Sequence, residues 1–316
     1  MNRRGFALIA ALWLVVMMSA LALEISIVAR DRRLSAANSS EGARARAAAV
    51  SGLEEARARL EAEIVRSRQL SPGADPAFAA DPWGAAPMLM RDSIRVGGAW
   101  ARVSLRDADA LLNVNRASEN DLRMFLNALR VDAGVADHLA QSIADWRDAD
   151  DFRRANGAEK AEYLKAGAPM LPRNGALTDL GELQYVSGMT DAIYAAARPY
   201  LTLTGSGQVS INHADRPVLL TLPGFGEEAV AVVLRARASR RRIASLDEIG
   251  LQLSAGAKKA FVDEAPLLLA RITFETRALE AVSSASVEGS PATAFASAMF
   301  VRGGGTAFLI GRRVTP

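Results

Sequence analysis

Six carboxylates crowd the stretch between residues 145 and 162. They are Asp145, Asp148, Asp150 and Asp151 in Asp145-Trp146-Arg147-Asp148-Ala149-Asp150-Asp151, then Glu159 and Glu162 beyond Gly157-Ala158. Carboxylate and carbonyl oxygens are what a hard cation such as calcium takes, six to eight of them at about 2.3–2.6 Å. Asp145, Asp148, Asp150 and Asp151 at a helix end, with Glu159 folding back across a glycine turn, are the candidate ligands. Asn174 and Glu182 are more distant ones. The spacing is not that of an EF-hand loop, and a solvated acidic loop is the other reading of the same residues.

Other chemistry finds little material. The chain has no cysteine, which excludes disulfides, thiolate metal sites and thiol nucleophiles, and its two histidines, His138 and His213, cannot build a multi-histidine centre. Both are expected as isolated surface or capping residues, and Trp83, Trp100 and Trp146 as core. No nucleophile elbow, phosphate-binding Gly-x4-Gly-Lys-Ser/Thr loop or His-Glu-x-x-His motif occurs, and Gly205-Ser206-Gly207 lacks the context of a dinucleotide site. No enzymatic role is expected.

A second candidate is Leu222-Pro223-Gly224-Phe225-Gly226 before an apolar helix, the shape of a helix–hairpin–helix unit. Such a turn can offer backbone N–H groups to a nucleic-acid phosphate. Arg235, Arg237, Arg240, Arg241 and Arg242 follow it. Against a membrane-anchored DNA-binding role stands the overall charge, only +3 from 38 basic and 35 acidic residues. The structural reading, a turn that packs two helices tightly, is preferred, and nucleic acid is not expected as a partner.

The elements that must carry these groups begin with an apolar segment. Gly5 to Leu23 holds no charge, and as a helix rising about 1.5 Å per residue it would span roughly 28 Å, close to the hydrocarbon thickness. Arg3 and Arg4 precede it and no basic residue follows until Arg30, so the rest of the chain is expected on the outer side of the membrane. Three processing routes fit: a signal peptide cut after Ala20-Leu21-Ala22, a twin-arginine signal, or a prepilin-type leader cut between Gly5 and Phe6 that keeps the apolar helix. The continuation favours the third. Glu24 to Leu70 has no proline, and Val50, Leu53, Leu60 and Ile64 form one helical stripe, so a single helix is expected from Phe6 to Leu70, ended by Ser71-Pro72-Gly73.

Beyond it, Ser93–Val96 and Ala99–Leu105 alternate around Gly97-Gly98 as a hairpin. Leu111 to Pro266 reads as helical, and β alternation returns in Arg271–Leu279, Ala294–Val301 and Ala307–Val314. Within the helical block Val114-Asn115-Arg116-Ala117-Ser118 is echoed by Ile211-Asn212-His213-Ala214-Asp215. Leu180-Gly181-Glu182-Leu183 is likewise echoed by Ser245-Leu246-Asp247-Glu248-Ile249, where Ser245 and Glu248 predict a capping box. The expected fold class is α/β (α+β): a long N-terminal helix and a pilin-like antiparallel sheet interrupted by a large all-α insertion with helix–hairpin–helix-like repeats. The expected segments are a leader 1–5, a transmembrane helix 6–24, its continuation 25–71, the first part of the sheet body 72–112, the insertion 113–266 in two halves (113–200 and 207–266), and the last strands 267–316.

This combination resembles the minor pseudopilin K family of type II secretion systems. The resemblance rests on Arg4-Gly5-Phe6-Ala7-Leu8-Ile9, Leu112-Asn113-Val114-Asn115, the Asp145–Asp151 run with Gly157-Ala158-Glu159, Tyr163, Pro172 with Asn174, Glu182-Leu183 and Ile211-Asn212 with Ala214. It implies a pilin-like fold with a helical insertion, and a non-enzymatic subunit at the tip of a pseudopilus. Implied partners are minor pseudopilins I and J, major pseudopilin G, prepilin peptidase and the inner-membrane secretion platform. It places the chain as a single-pass protein of the bacterial inner membrane with its bulk in the periplasm. Cleavage by prepilin peptidase between Gly5 and Phe6, with N-methylation of Phe6, is implied, as is calcium in the insertion. Arg153-Arg154 directly after the acidic run departs from the acidic or neutral loop expected there and weakens such a site. Most pilins carry a Glu as fifth residue after cleavage, to neutralise a neighbour's terminal amine in the apolar filament core, where an unpaired charge is costly. Here that position is Ala10, which suits the end of an assembly.

Overall fold

The computed structural model describes residues 3–69, 81–86, 90, 93–303 and 306–315, with the backbone alone for residues 3–10 and 68. Helix α1 runs unbroken over Arg3–Gln69, 67 residues, or about 100 Å at about 1.5 Å per residue. It contains no proline and is rich in Ala, Leu, Arg and Glu, which cost least in a helix. The large apolar side chains from Leu12 to Leu34 are exposed, whereas Ala45, Ala48, Ala49, Leu53, Ala56, Leu60 and Ile64 are buried. Arg57 with Glu54 and Glu61, Arg59 with Glu55 and Arg66 with Glu63 lace the flanks at helical spacing. The apolar third is long and apolar enough to cross a membrane, with a mean hydropathy of 2.2 and none of it buried. The expected stop at Ser71-Pro72-Gly73 lies outside the described residues, as do Met1 and Asn2 of the leader.

The buried stripe of α1 lies on one face of a five-stranded antiparallel sheet. The strands are β1 (Ile94–Val96), β2 (Ala99–Asp107), then much later in sequence β7 (Ala278–Val287), β8 (Thr293–Gly303) and β9 (Thr306–Thr315), in the order β1-β2-β7-β8-β9. Gly97 and Gly98 both have positive φ (52° and 82°), which a tight hairpin turn requires. Both facing surfaces are small: Ala99, Ala101, Ala281, Ala285, Ala294, Ala296 and Ala298 on the sheet, and an Ala/Gly stripe on the helix. At the closest approach a Cβ on Gly52 would sit 2.5 Å from Ser283 Oγ and 3.1 Å from Val103 Cγ2. The turn between β8 and β9 at Gly304-Gly305 lies outside the described residues.

One predicted strand is corrected. Arg271–Leu279 is not continuous: β6 (Ile272–Thr273) leaves the main sheet to pair in parallel with β5 (Val209–Ser210), and the strand that joins the sheet starts at Ala278. The break is polar. Thr273 Oγ1 donates to Glu275 O (2.9 Å) and accepts from Glu275 N (3.2 Å), a side-chain turn that competes with the ladder.

The helical block sits between β2 and β7. A short pair, β3 (Leu112–Asn113) with β4 (Leu201–Thr202), opens and closes its first half. That half holds α2 (Glu119–Ala128), α3 (Ala133–Arg147), α4 (Lys160–Lys165) and α5 (Asp191–Ala197). The second half is bracketed by β5 and β6. It holds α6 (Arg216–Leu219), α7 (Glu227–Ala238), α8 (Leu246–Gly250), α9 (Ala255–Asp263) and α10 (Ala265–Arg271). The block has its own apolar core, around Leu122, Phe125, Leu139, Trp146, Leu183, Ile211, Leu219 and Ile243, separate from the helix–sheet core. It attaches at one end of the sheet. Ser290, in the turn after β7, bonds to Glu41. At the opposite end Ala307 N donates to Glu61 Oε1 (3.3 Å) and Trp83 Nε1 to Leu60 O (3.3 Å). Asp107, where β2 leaves the sheet, pairs with Leu279 at that second end. The block therefore stands beyond the C-terminal end of α1, at the pole farthest from the apolar segment.

Candidate functional site

The acidic run closes α3. Asp145 is fully buried, and the chain folds over it so closely that a Cβ on Gly157 would lie 1.9 Å from Asp145 Oδ2. Facing it is the guanidinium of Arg154. Its Nη1 donates to Asp145 Oδ1 (2.6 Å) and to the Asp148 carboxylate, its Nε lies 3.5 Å from Glu119 Oε2 at the start of α2, and its backbone N–H turns toward Asp145. These hydrogen bonds raise the Arg154 pKa further, Asp148's first and then Asp145's. Asp150 and Asp151 turn elsewhere: Asp150 accepts from Phe152 N (2.9 Å), and Asp151 from the amide of Asn174 (2.8 Å), which also donates to Asp150 O. Glu159 caps α4, with Oε2 toward Lys160 N, while its buried Oε1 and Asp148 Oδ1 have no hydrogen-bond partner among the described residues. Burial, then the charges of Asp145, Asp148 and Asp151, push the Glu159 pKa up to about 7. The structure turns Asp145 and Asp148 onto Arg154, sets Asp151 and Glu159 along one shallow cavity, and turns Asp150 to the backbone of Phe152. Among the described residues no three carboxylate or histidine side chains converge closely enough to hold a metal ion. Calcium's six to eight oxygens are not assembled: as arranged, Asp145 Oδ1 and Asp148 Oδ2 face a guanidinium rather than a calcium ion, and the guanidinium does not reach Asp148 Oδ1 or Glu159 Oε1.

Glu182, the other distant candidate, is a structural acceptor. Its Oε1 takes Thr178 N (2.8 Å), Thr178 Oγ1 (2.9 Å) and Asp179 N (3.0 Å), and Oε2 takes Arg173 Nε (3.1 Å). Burial pushes its pKa up, but these hydrogen bonds outweigh burial and hold it at about 2.

The glycine turn between α6 and α7 is covered at Gly224 and open at Gly226. Gly224 has φ +67°, and a Cβ there would meet Ala260 O at 2.8 Å and Phe261 Cα at 3.2 Å, so the turn is pressed against α9. Glu227 and Glu228 fill the first turn of α7, where the helix dipole would otherwise favour an anion. Of the arginines, Arg237 is half-buried and donates to Ile211 O, Arg241 pairs with Glu248 (2.6 Å) and Arg242 with Asp81 (3.1 Å). This arrangement supports packing rather than phosphate binding.

The sequence echo is a structural repeat. Asn115 Nδ2 donates to Leu177 O (3.0 Å) and its Oδ1 accepts from Leu177 N (2.8 Å). Asn212 makes the same double bond with Ile243 O (2.9 Å) and Ile243 N (2.9 Å). Arg147 on Val114 O and Ala117 O matches Arg237 on Ile211 O. Burial lowers the pKa of both arginines, that of Arg237 to about 10. The expected Ser245 capping box is corrected: Ser245 makes no side-chain cap, and Glu248 accepts instead from Ala244 N (2.9 Å), one residue earlier.

Sequence reasoning missed the junction between sheet and insertion. His213, expected as an isolated capping residue, places Nδ1 2.9 Å from Asp107 Oδ2 and Nε2 3.2 Å from Gly84 O. Thr276 Oγ1 lies 3.3 Å from both the Asp81 and Asp107 carboxylates, Thr276 N donates to Asp81 Oδ1 (3.0 Å), and Arg242 completes the group. No signal in the sequence marks this group, because Asp81, Asp107, His213 and Thr276 lie in four separate segments. His138 is likewise tied in, to Asn156 O and Ser187 Oγ. Trp83 and Trp146 are core as expected, but Trp100 lies on the outer face of the sheet under Arg95, 5.6 Å from its ring.

Residues 102–206 match the family described as Type II secretion system (T2SS), protein K. A protein of that designation from Escherichia coli K12 is 34% identical over 121 residues, 34% of this chain and 37% of the relative. Type II secretion system protein K of Pectobacterium carotovorum is 30% identical over 90 residues, 28% of this chain and 27% of the relative. The chain thus aligns with between about a quarter and little more than a third of these relatives' lengths. In fold it is similar to a chain in the crystal structure of the GspK–GspI–GspJ complex from the enterotoxigenic E. coli type 2 secretion system, with a TM-score of 0.61 at 19% identity, covering 85% of this chain and 96% of that one.

Proposed function

We propose, from the premise that residues 102–206 of this chain are a type II secretion system protein K domain, that the protein is a non-enzymatic minor pseudopilin occupying the tip of the pseudopilus. The observation that carries the reading is the placement of the helical block. A helix of 67 residues presents an exposed apolar third at one pole, and the insertion stands at the other. A subunit so built joins a bundle of like helices through its apolar end, and its bulk obstructs stacking of a further subunit above it. The apolar third lies in the inner membrane before assembly and against partner helices afterwards, with the sheet and insertion in the periplasm.

Minor pseudopilins I and J are the neighbours this reading assigns, supported by the complex in which the similar chain was crystallised. Below them lie major pseudopilin G and the inner-membrane platform. Prepilin peptidase cuts between Gly5 and Phe6, and Phe6 becomes an N-methylated terminus. Ala10 then occupies the position at which a carboxylate would receive the terminal amine of the next subunit. Without that carboxylate the chain offers no counter-charge inside an apolar core, where an unpaired ammonium is costly. It can begin a fibre but not continue one.

Mass spectrometry of the mature protein tests this directly. A terminus at Phe6, methylated, and co-purification with pseudopilins I and J are expected. A terminus at Leu23, which discards the apolar helix, overturns the reading.

A further inference from the structure

The acidic loop after α3 has the carboxylates for a cation yet is arranged around an arginine. Arg154 reaches Asp145 at the end of α3, Asp148 at its C-cap and Glu119 at the start of α2, so one guanidinium joins three segments that lie 35 residues apart at the extremes (119 to 154). Asp145 is fully buried, and a buried carboxylate needs a hydrogen-bonded counter-charge. Gly157 permits the loop to close over that carboxylate only because it lacks a Cβ. The arginine is itself held in place: its own backbone N–H points at Asp145 Oδ1 (3.3 Å), and its carbonyl accepts from Gly157 N (3.1 Å). These bonds fix the backbone from which the guanidinium, 36% exposed, reaches its carboxylates.

We infer that Arg154 is the resident cation of this loop, a covalently attached replacement for a bound dication, so that the 145–162 segment folds without metal. The planar fork of arginine suits the task. It remains charged at any physiological pH and presents several donors in fixed geometry to separate carboxylates, whereas lysine offers a single point charge. A metal-dependent loop loses its clamp when the ion is withdrawn. This loop keeps it wherever the chain is folded, at any calcium concentration.

The test uses the full chain in detergent, with thermal melts recorded in chelator and in millimolar calcium chloride for the parent and for Arg154→Gln. The parent is expected to melt within about 1 °C under both conditions. Arg154→Gln is expected to melt roughly 5 °C or more lower in chelator and to recover at least half of that loss in calcium, because vacating the guanidinium frees Asp145 and Asp148 as ligands. Arg154→Lys should fall between the two. A parent whose melting point rises with calcium overturns the inference, as does an Arg154→Gln chain that melts like the parent. A variant that is destabilised but indifferent to calcium also overturns it, since the arginine would then be an ordinary anchor. Should Arg154→Gln fail to fold, equilibrium dialysis of the parent against labelled calcium decides: no bound ion supports the inference, one ion per chain refutes it.

Discussion

Asp81→Ala should loosen the insertion from the sheet. The Asp81 carboxylate is fully buried and receives Thr276 N at 3.0 Å, Thr276 Oγ1 at 3.3 Å and Arg242 Nη2 at 3.1 Å. Thr276 lies in the crossing from the insertion's last strand to β7, and Arg242 lies in the insertion, so one side chain ties both to the segment beside the helix–sheet core. Removing one partner of a buried pair typically costs about 3–5 kcal/mol. Arg242 is 23% exposed and keeps the Phe274 carbonyl, so it is partly rehydrated, and the lower end, about 3 kcal/mol, is expected. At about 2–4 °C per kcal/mol for a folded body of this size, the melting point should fall by about 6–12 °C. Calorimetry of the full chain in detergent measures this. Hydrogen exchange should report faster amide exchange at 242–243 and 272–276, with protection in α2 and α3 unchanged. Asp81→Asn separates the pair from the backbone bond: it keeps an acceptor for Thr276 N but turns an amide toward Arg242, and should lose most of the same stability. A fall below about 2 °C for Asp81→Ala, or an Asp81→Asn chain as stable as the parent, would refute the argument that this ion pair fastens the insertion.

Other expectations follow from the same geometry. Glu182 is held at about 2 against an ordinary 4.5; a depressed carboxylate contributes stability that is complete above the ordinary value and is lost as pH falls through the folded one. Taken at face value the shift amounts to about 3 kcal/mol, and about 2 kcal/mol after allowance for solvent screening. Urea midpoints of the parent should therefore drop between about pH 4.5 and 2, and Glu182→Gln should flatten that limb; an unchanged slope would remove Glu182 as its source. The two glycines within the later part of α1 should respond with opposite sign. Gly52→Val forces atoms into Ser283, Val103 and Ala101 and should cost about 3 kcal/mol. Gly42→Ala meets only Arg46 at 3.5 Å and should stabilise by about 0.5–1 kcal/mol. Equal effects of the two in denaturant melts would contradict the close approach at Gly52.

The parts of this fold legible in the sequence are those governed by repetition of apolar positions. The stripe of Leu53, Leu60 and Ile64, the Gly97-Gly98 hairpin and the final pair of strands emerge at the expected places because burial of one face imposes period 3.6 on a helix and 2 on a strand. The duplicated Asn is legible for a related reason. A side chain that substitutes for a missing strand partner, as Asn115 does for Leu177 and Asn212 for Ile243, must sit at the same offset in each copy. What is not legible is which polar residues turn inward. Asp81, Asp107, His213 and Thr276 come from four separate segments, none with a periodic signal, and they meet only because an insertion must be fastened where the sheet opens. The acidic run shows the same limit. Its composition reads as a ligand set, yet a carboxylate's partner depends on three-dimensional reach, and the nearest cation in reach of Asp145 and Asp148 is the arginine six residues past the helix cap. An arginine a few residues after an acidic helix end therefore belongs in the argument from the start: it can fold back within the span of one short loop, and it carries the charge and donors that a metal would otherwise have to supply.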